Sequence, residues 1–106
     1  MACTALQAEG WTILARRLRT GAGEIDLVAE REGLLAFVEV KARPLLAGAA
    51  QALGAKQRVR LLAAAEAAMA GNPGWGAGGV RFDVMVVDAE GRVRRIADAF
   101  RAGDTL

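Results

Sequence analysis

Gly23-Glu24-Ile25-Asp26-Leu27-Val28-Ala29-Glu30-Arg31-Glu32-Gly33-Leu34-Leu35-Ala36-Phe37-Val38-Glu39-Val40-Lys41-Ala42-Arg43 is the stretch that decides the fold. Two runs rich in β-favouring residues flank Glu32-Gly33, a turn-forming pair. The expected strands are Glu24 to Arg31 and Leu34 to Arg43, with Pro44 ending the second. Side chains alternate along a strand. Ile25, Leu27 and Ala29 should therefore share one face, and Glu24, Asp26 and Val28 the other. On the second strand Ala36, Val38 and Val40 oppose Leu35, Phe37, Glu39 and Lys41. Through a two-residue turn, facing residues have numbers summing to 65. That register sets Asp26 against Glu39, with Cβ atoms roughly 4.5–5.5 Å apart.

Upstream of the hairpin, Ala2 to Glu9 reads as a short helix anchored by Leu6 and stopped by Gly10. Trp11 to Arg19 reads as another strand, followed by a Gly21-Ala22-Gly23 turn. Downstream, residues 44–53 form an apolar connection. A long helix then begins at Gly54, with Gln57 placed to reach back to the cap. Leu61, Leu62, Ala65 and Met69 make its buried stripe, and Gly71-Asn72-Pro73-Gly74 ends it. Trp75 to Gly79 is a Gly-rich loop that leaves Trp75 available for an exposed contact. Val80 to Asp88 reads as a strand covered on both faces. Glu90-Gly91 turns the chain into a short last strand, Val93 to Ile96. The expected order is α-β-β-β-α-β-β. The expected class is α/β, a three-layer mixed β-sheet flanked by helices, in one domain over residues 1–106.

Composition narrows the chemistry. There is no histidine, which removes Ser-His-Asp catalysis and most zinc sites. The single cysteine, Cys3, cannot form an internal disulfide and reads as a small buried helix residue. That usage and the absence of a basic-then-apolar leader point to the cytoplasm. No apolar run approaches the ~18 residues that span a bilayer, so no membrane association is expected. Net charge is only +2, but residues 1–60 hold nine Lys/Arg against six Asp/Glu. The basic excess lies in the half that holds the hairpin, a pointer to a polyanionic partner.

The hairpin carries the candidate chemistry. Two opposed carboxylates on a face with Val28, Leu35 and Phe37 repel and are partly desolvated. A hard divalent cation such as Mg2+ or Mn2+ would relieve them. Asp26, Glu39 and the Val40 carbonyl make a plausible partial oxygen shell for it. Lys41 lies two residues beyond Glu39 on the same face, within reach of the same space. This set suits phosphodiester hydrolysis, which does not need histidine. A Glu-x-Lys pair taken alone is most often a solvated ion pair worth little. Arg16, Arg17, Arg19, Arg43, Lys56, Arg58 and Arg60 could track a phosphate backbone. Of these, Arg19, Arg43, Lys56, Arg58 and Arg60 are the expected nucleic-acid contacts. Asp83 reads as a structural partner of Arg81 or Lys56. Five aromatics are too few for a stacking platform for single strands.

Gly23-Glu24-Ile25-Asp26-Leu27-Val28-Ala29, Phe37-Val38-Glu39-Val40-Lys41-Ala42-Arg43, Lys56-Gln57-Arg58 and Arg81-Phe82-Asp83-Val84 together resemble the YraN-like family of small bacterial proteins. The resemblance runs from about Ala2 to Phe100. That family is regarded as predicted endonucleases, distantly related to archaeal Holliday junction resolvases in the PD-(D/E)XK nuclease superfamily. The resemblance implies a restriction-endonuclease-like core. It places Asp26 and Glu39 at the metal, Lys41 as the catalytic lysine and Gln57 as a polar contributor from the following helix. Gln57 reads equally well as a helix cap. Branched or structured DNA is the implied substrate, and a homodimer would supply the two sites a junction needs. The Gly-Glu pair that the family carries on its first helix would fall before Met1, and Glu9 does not replace it. Two other readings stay open: a nucleic-acid-binding module without turnover, and a small interaction domain with a surface ion-pair cluster.

Overall fold

A computed structural model describes residues 2–42 and 54–100. Arg43, Pro44 and the connection over residues 44–53 lie outside the described residues. The elements are α1 (Ala2–Ala8), β1 (Thr12–Thr20), β2 (Gly23–Arg31), β3 (Leu34–Ala42), α2 (Ala55–Gly71), β4 (Val80–Val87) and β5 (Val93–Phe100). The strands form one mixed sheet in sequence order, β1-β2-β3-β4-β5. Only the β3–β4 pair is parallel, and α2 makes the crossover it requires. The expected α/β class and element order are present. The last strand runs on to Phe100, past the expected end at Ile96.

Each helix covers one face of the sheet. Leu61, Ala64, Ala65 and Ala68 of α2 bury Val28, Leu35, Phe37 and Phe82. Ala2 and Leu6 of α1 pack with Trp11, Leu27, Ala29, Ala36, Val38 and Met85. Strands covered on both sides explain the apolar run of β4. Trp75 is half-buried against the α2-side core, so it is a packing residue and not the exposed contact expected of it.

Turn chemistry holds the register. Glu32 and Gly33 both have positive φ, 52° and 83°, as a type I′ hairpin turn requires. The β2–β3 pairs run from Arg31↔Leu34 to Leu27↔Val38, with numbers summing to 65 as expected. Gly10, at φ 89°, ends α1. Its N–H donates to the Gln7 carbonyl and that of Trp11 to the Leu6 carbonyl, each within 3.1 Å. This is a Schellman stop, and its apolar contact is Trp11 against Leu6.

A charged cluster ties α1 to the sheet beside this stop. Asp83 is fully buried and accepts two bonds from Arg81, at 2.9 and 2.8 Å. Arg95 of β5 lies 3.7 Å from Asp83 and 2.7 Å from Glu9. The guanidiniums of Arg31, Arg81 and Arg95 stand 5.2, 5.0 and 5.7 Å from the centre of the Trp11 ring. The structural role expected of Asp83 is therefore present, with Arg81 rather than Lys56 as its partner.

Candidate functional site

The strict alternation expected along β2 breaks at Asp26. Ile25 packs with Val28 on the α2 side, whereas Leu27 and Ala29 pack on the α1 side. Ile25 thus does not share a face with Leu27 and Ala29. The cause lies on the neighbouring strand. β1 and β2 pair at Arg16↔Leu27 and Leu18↔Ile25, but Arg17 and Asp26 between them do not pair. Arg17 has φ 48°, the left-handed region that non-glycine residues rarely adopt. This local twist turns Asp26 to the same side as Leu27.

The β2–β3 ladder ends at Leu27↔Val38, so Asp26 and Glu39 are not a ladder pair on one face. Instead, Asp26 Oδ2 accepts the Val40 N–H at 2.8 Å. The carboxylate takes the place of a backbone carbonyl in the ladder. Within an antiparallel strand a residue's N–H and C=O face the same neighbour. The Val40 carbonyl is thereby directed to the Asp26 side of β3.

Glu39 lies on the α2 side, beyond Phe37, whose ring stacks on Phe82 at 5.7 Å. It is buried, with only 7% of its surface exposed. Burial raises its carboxyl pKa above 4.5, and the charge of Asp26 raises it further. Lys41, 3.7 Å away, and Arg60 of α2 pull the other way without cancelling the rise. Gly23 gives Arg60 its path: a Cβ there would sit 3.2 Å from Arg60 Cγ. Lys41 and Arg60 thus act on Glu39 from the α2 side, and Asp26, bonded to the Val40 N–H, acts on it from the α1 side.

Arg43 lies outside the described residues, and the other expected residues make different contacts. Gln57 Oε1 accepts the Gly54 N–H at 3.2 Å, the capping arrangement at the start of α2. Arg19 is 91% exposed and 3.8 Å from Glu24, and Lys56 is exposed. Arg58 is half-buried, and among the described residues its Nε has no hydrogen-bond partner. On the α1 side a cleft of about 380 Å3 opens over Asp26 and Val40, lined also by Cys3, Arg16, Arg17 and Leu27. Cys3 is half-buried at its wall rather than buried. Reading the sequence missed this cleft, because strict alternation sends Arg16 and Arg17 to opposite faces.

The model of uncharacterised protein family UPF0102 matches residues 1–87. The chain belongs to family UPF0102. This is the YraN-like resemblance at family level. A UPF0102 protein of Granulibacter bethesdensis is 63% identical over 101 residues, covering 95% of this chain and 64% of that protein. One of Acidiphilium cryptum is 50% identical over 97 residues, 92% of this chain and 75% of that protein. One of Azorhizobium caulinodans is 46% identical over 99 residues, 93% and 76% respectively. The chain thus spans less than two thirds of the length of the Granulibacter UPF0102 protein. Among the described residues of this UPF0102 chain, no helix is long and apolar enough to cross a membrane.

Proposed function

We propose that this UPF0102 protein hydrolyses phosphodiester bonds in nucleic acid with a divalent metal, as an endonuclease of branched or structured DNA. One observation carries the reading. Glu39 is a buried carboxylate whose charge is disfavoured by burial and by Asp26, and Lys41 stands 3.7 Å from it. A purely structural acid would be matched as Asp83 is, by two short bonds from one arginine. Among the described residues, Glu39 has no such match. The arrangement is costly without a cation and suits one.

The donor set fits Mg2+ or Mn2+. Two carboxylates and a carbonyl, Asp26, Glu39 and Val40, are all oxygen ligands, and Mg2+ commonly keeps waters and phosphate oxygens for its other positions. A bound ion would lower the pKa of its water and polarise the phosphoryl oxygen. The chain's own groups do the rest. Asp26 is held in place by the Val40 N–H. Lys41 stands 3.7 Å from Glu39, where its ammonium can offset charge developing on a phosphate. Phe37 and Phe82, on the Glu39 side of the sheet, make that side apolar.

The order α-β-β-β-α-β-β with an Asp…Glu-x-Lys hairpin supports placing the fold with the restriction-endonuclease-like nucleases. A homodimer with paired sites and a cytoplasmic location go with this reading. A second reading, a nucleic-acid binder without turnover, is favoured by one fact. Among the described residues, no group of three Asp, Glu, Cys or His side chains is placed to hold a metal.

Cleavage of a labelled four-way DNA junction, compared with a linear duplex of the same sequence, tests the proposal. The expected result is junction cleavage with Mg2+ or Mn2+ that EDTA stops and Lys41→Ala lowers by at least ~100-fold, the scale of losing one charge-stabilising group. Salt-sensitive binding with no cleavage would favour the second reading. Cleavage unchanged in Lys41→Ala would remove Lys41 from the site.

A further inference from the structure

The α1-side cleft poses a question that the Asp26–Glu39–Lys41 set does not answer. Consecutive residues of a regular strand point to opposite faces. Arg16 and Arg17 are consecutive in β1, yet both line the cleft over Asp26 and Val40. The left-handed φ of 48° at Arg17 accompanies this placement. Glycine adopts that conformation without steric cost, and an arginine there is strained. Both arginines are exposed. Neither has a carboxylate partner among the described residues, whereas Arg19, Arg81, Arg92 and Arg95 each do.

Two exposed arginines without a carboxylate partner among the described residues, lining one cleft with Asp26 and Val40, are free to take an anion. Arginine's planar fork matches phosphate oxygens in pairs. The cleft, at about 380 Å3, is the size of a small-ligand site. Leu27 supplies an apolar wall suited to a sugar. We propose that Arg16 and Arg17 form the phosphate clamp of this protein, seating the backbone of a DNA strand in the cleft so that a phosphate lies over Asp26 and the Val40 carbonyl. The clamp deepens the proposed function and rests on it. It puts positive charge on both sides of the acids: Arg16 and Arg17 on the α1 side, Lys41 and Arg60 on the α2 side. A phosphate entering from the α1 side meets its counter-charge before it meets Asp26.

Fluorescence anisotropy of a labelled four-way DNA junction in EDTA tests the clamp without turnover. The variants are Arg16→Ala/Arg17→Ala, Arg17→Gly and, as a control on β5, Arg94→Ala. The double variant should bind at least about tenfold more weakly, and its slope of log K against log salt should flatten by about 2. Arg17→Gly should flatten the slope by about 1. Glycine accepts the φ of Arg17, so this variant should melt no lower than wild type. Arg94→Ala should change neither binding quantity. Wild-type slope and affinity in the double variant, or in Arg17→Gly, would overturn the clamp while leaving the proposed function standing. An equal loss in Arg94→Ala would also overturn it, as general attraction to a basic surface. A wild type that binds no DNA would bring down the proposed function itself.

Discussion

Asp83 and Glu39 are the two buried acids among the described residues, and they should respond in opposite ways to loss of charge. Asp83→Asn leaves Arg81, and in part Arg95, without a counter-charge. The Asp83 side chain is fully buried, and Arg81 and Arg95 are 19% and 20% exposed. Removing one partner of a buried pair costs about 3–5 kcal/mol. The partial exposure of both arginines lets water recover some of this, and Glu9 still holds Arg95, so the lower end, about 3 kcal/mol, applies. For a domain of this size that lowers Tm by about 12–24 °C. Glu39→Gln keeps the shape and removes a charge that burial and Asp26 disfavour. Its contact to Lys41 is long, 3.7 Å, and both side chains are mostly buried, so the desolvation of Glu39 offsets most of what the pair gains. Stability without metal should hold or rise. Thermal and urea melts followed by circular dichroism, in EDTA at neutral pH, measure both. A harmless Asp83→Asn together with a Glu39→Gln that costs several kcal/mol would reverse the two roles and refute the reasoning.

Three further outcomes follow from the geometry. Because the folded-state pKa of Glu39 is raised above 4.5, the folded protein holds that proton to higher pH than the unfolded chain does. In EDTA, wild type should lose stability relative to Glu39→Gln as pH rises from 4.5 through the raised value, and melts of both across that range would show it. At Gly78 a Cβ would lie 2.8 Å from the backbone carbon and oxygen of Gly33. Gly78→Ala should therefore disturb the Gly78 N–H to Gly33 and Leu35 N–H to Gly79 bonds, both 2.9 Å, and cost about 1–3 kcal/mol by urea titration. Gly71→Ala, with nothing within 4 Å of its new Cβ, should be neutral or stabilising by up to about 1 kcal/mol in the same titration.

Much of this fold is legible in the sequence, where local chemistry and packing agree. Glu32-Gly33 dictates the β2–β3 turn, and the alternation of Phe37, Glu39 and Lys41 against Val38 and Val40 survives intact. Leu61 and Ala65 mark the buried side of α2, to which the structure adds Ala64 and Ala68. The site is less legible, because its geometry comes from an exception. Nothing in Arg16-Arg17-Leu18 announces a left-handed residue, and β1 must pair with β2 before the twist at Asp26 exists. Reading by period therefore set Asp26 and Glu39 on one face. The structure instead reaches Glu39 from the α2 side and Asp26 from the α1 side, with the Val40 backbone between them. Arg60 was legible as a basic residue but not as a neighbour of Glu39, since its side chain passes close over Gly23, far away in sequence. The Trp11 cluster was out of reach for a similar reason: its parts come from α1, β2, β4 and β5 and share no local pattern.

The most direct test of the central claim is calorimetric titration of Mn2+ into wild type, Asp26→Asn and Glu39→Gln. We predict saturable binding near one ion per chain in wild type, weakening on acidification as Glu39 takes up its proton. Either substitution should abolish it, while Asp83→Ser leaves it in whatever fraction remains folded. Indistinguishable isotherms for wild type and Glu39→Gln, or no binding by wild type at millimolar Mn2+, would contradict the account.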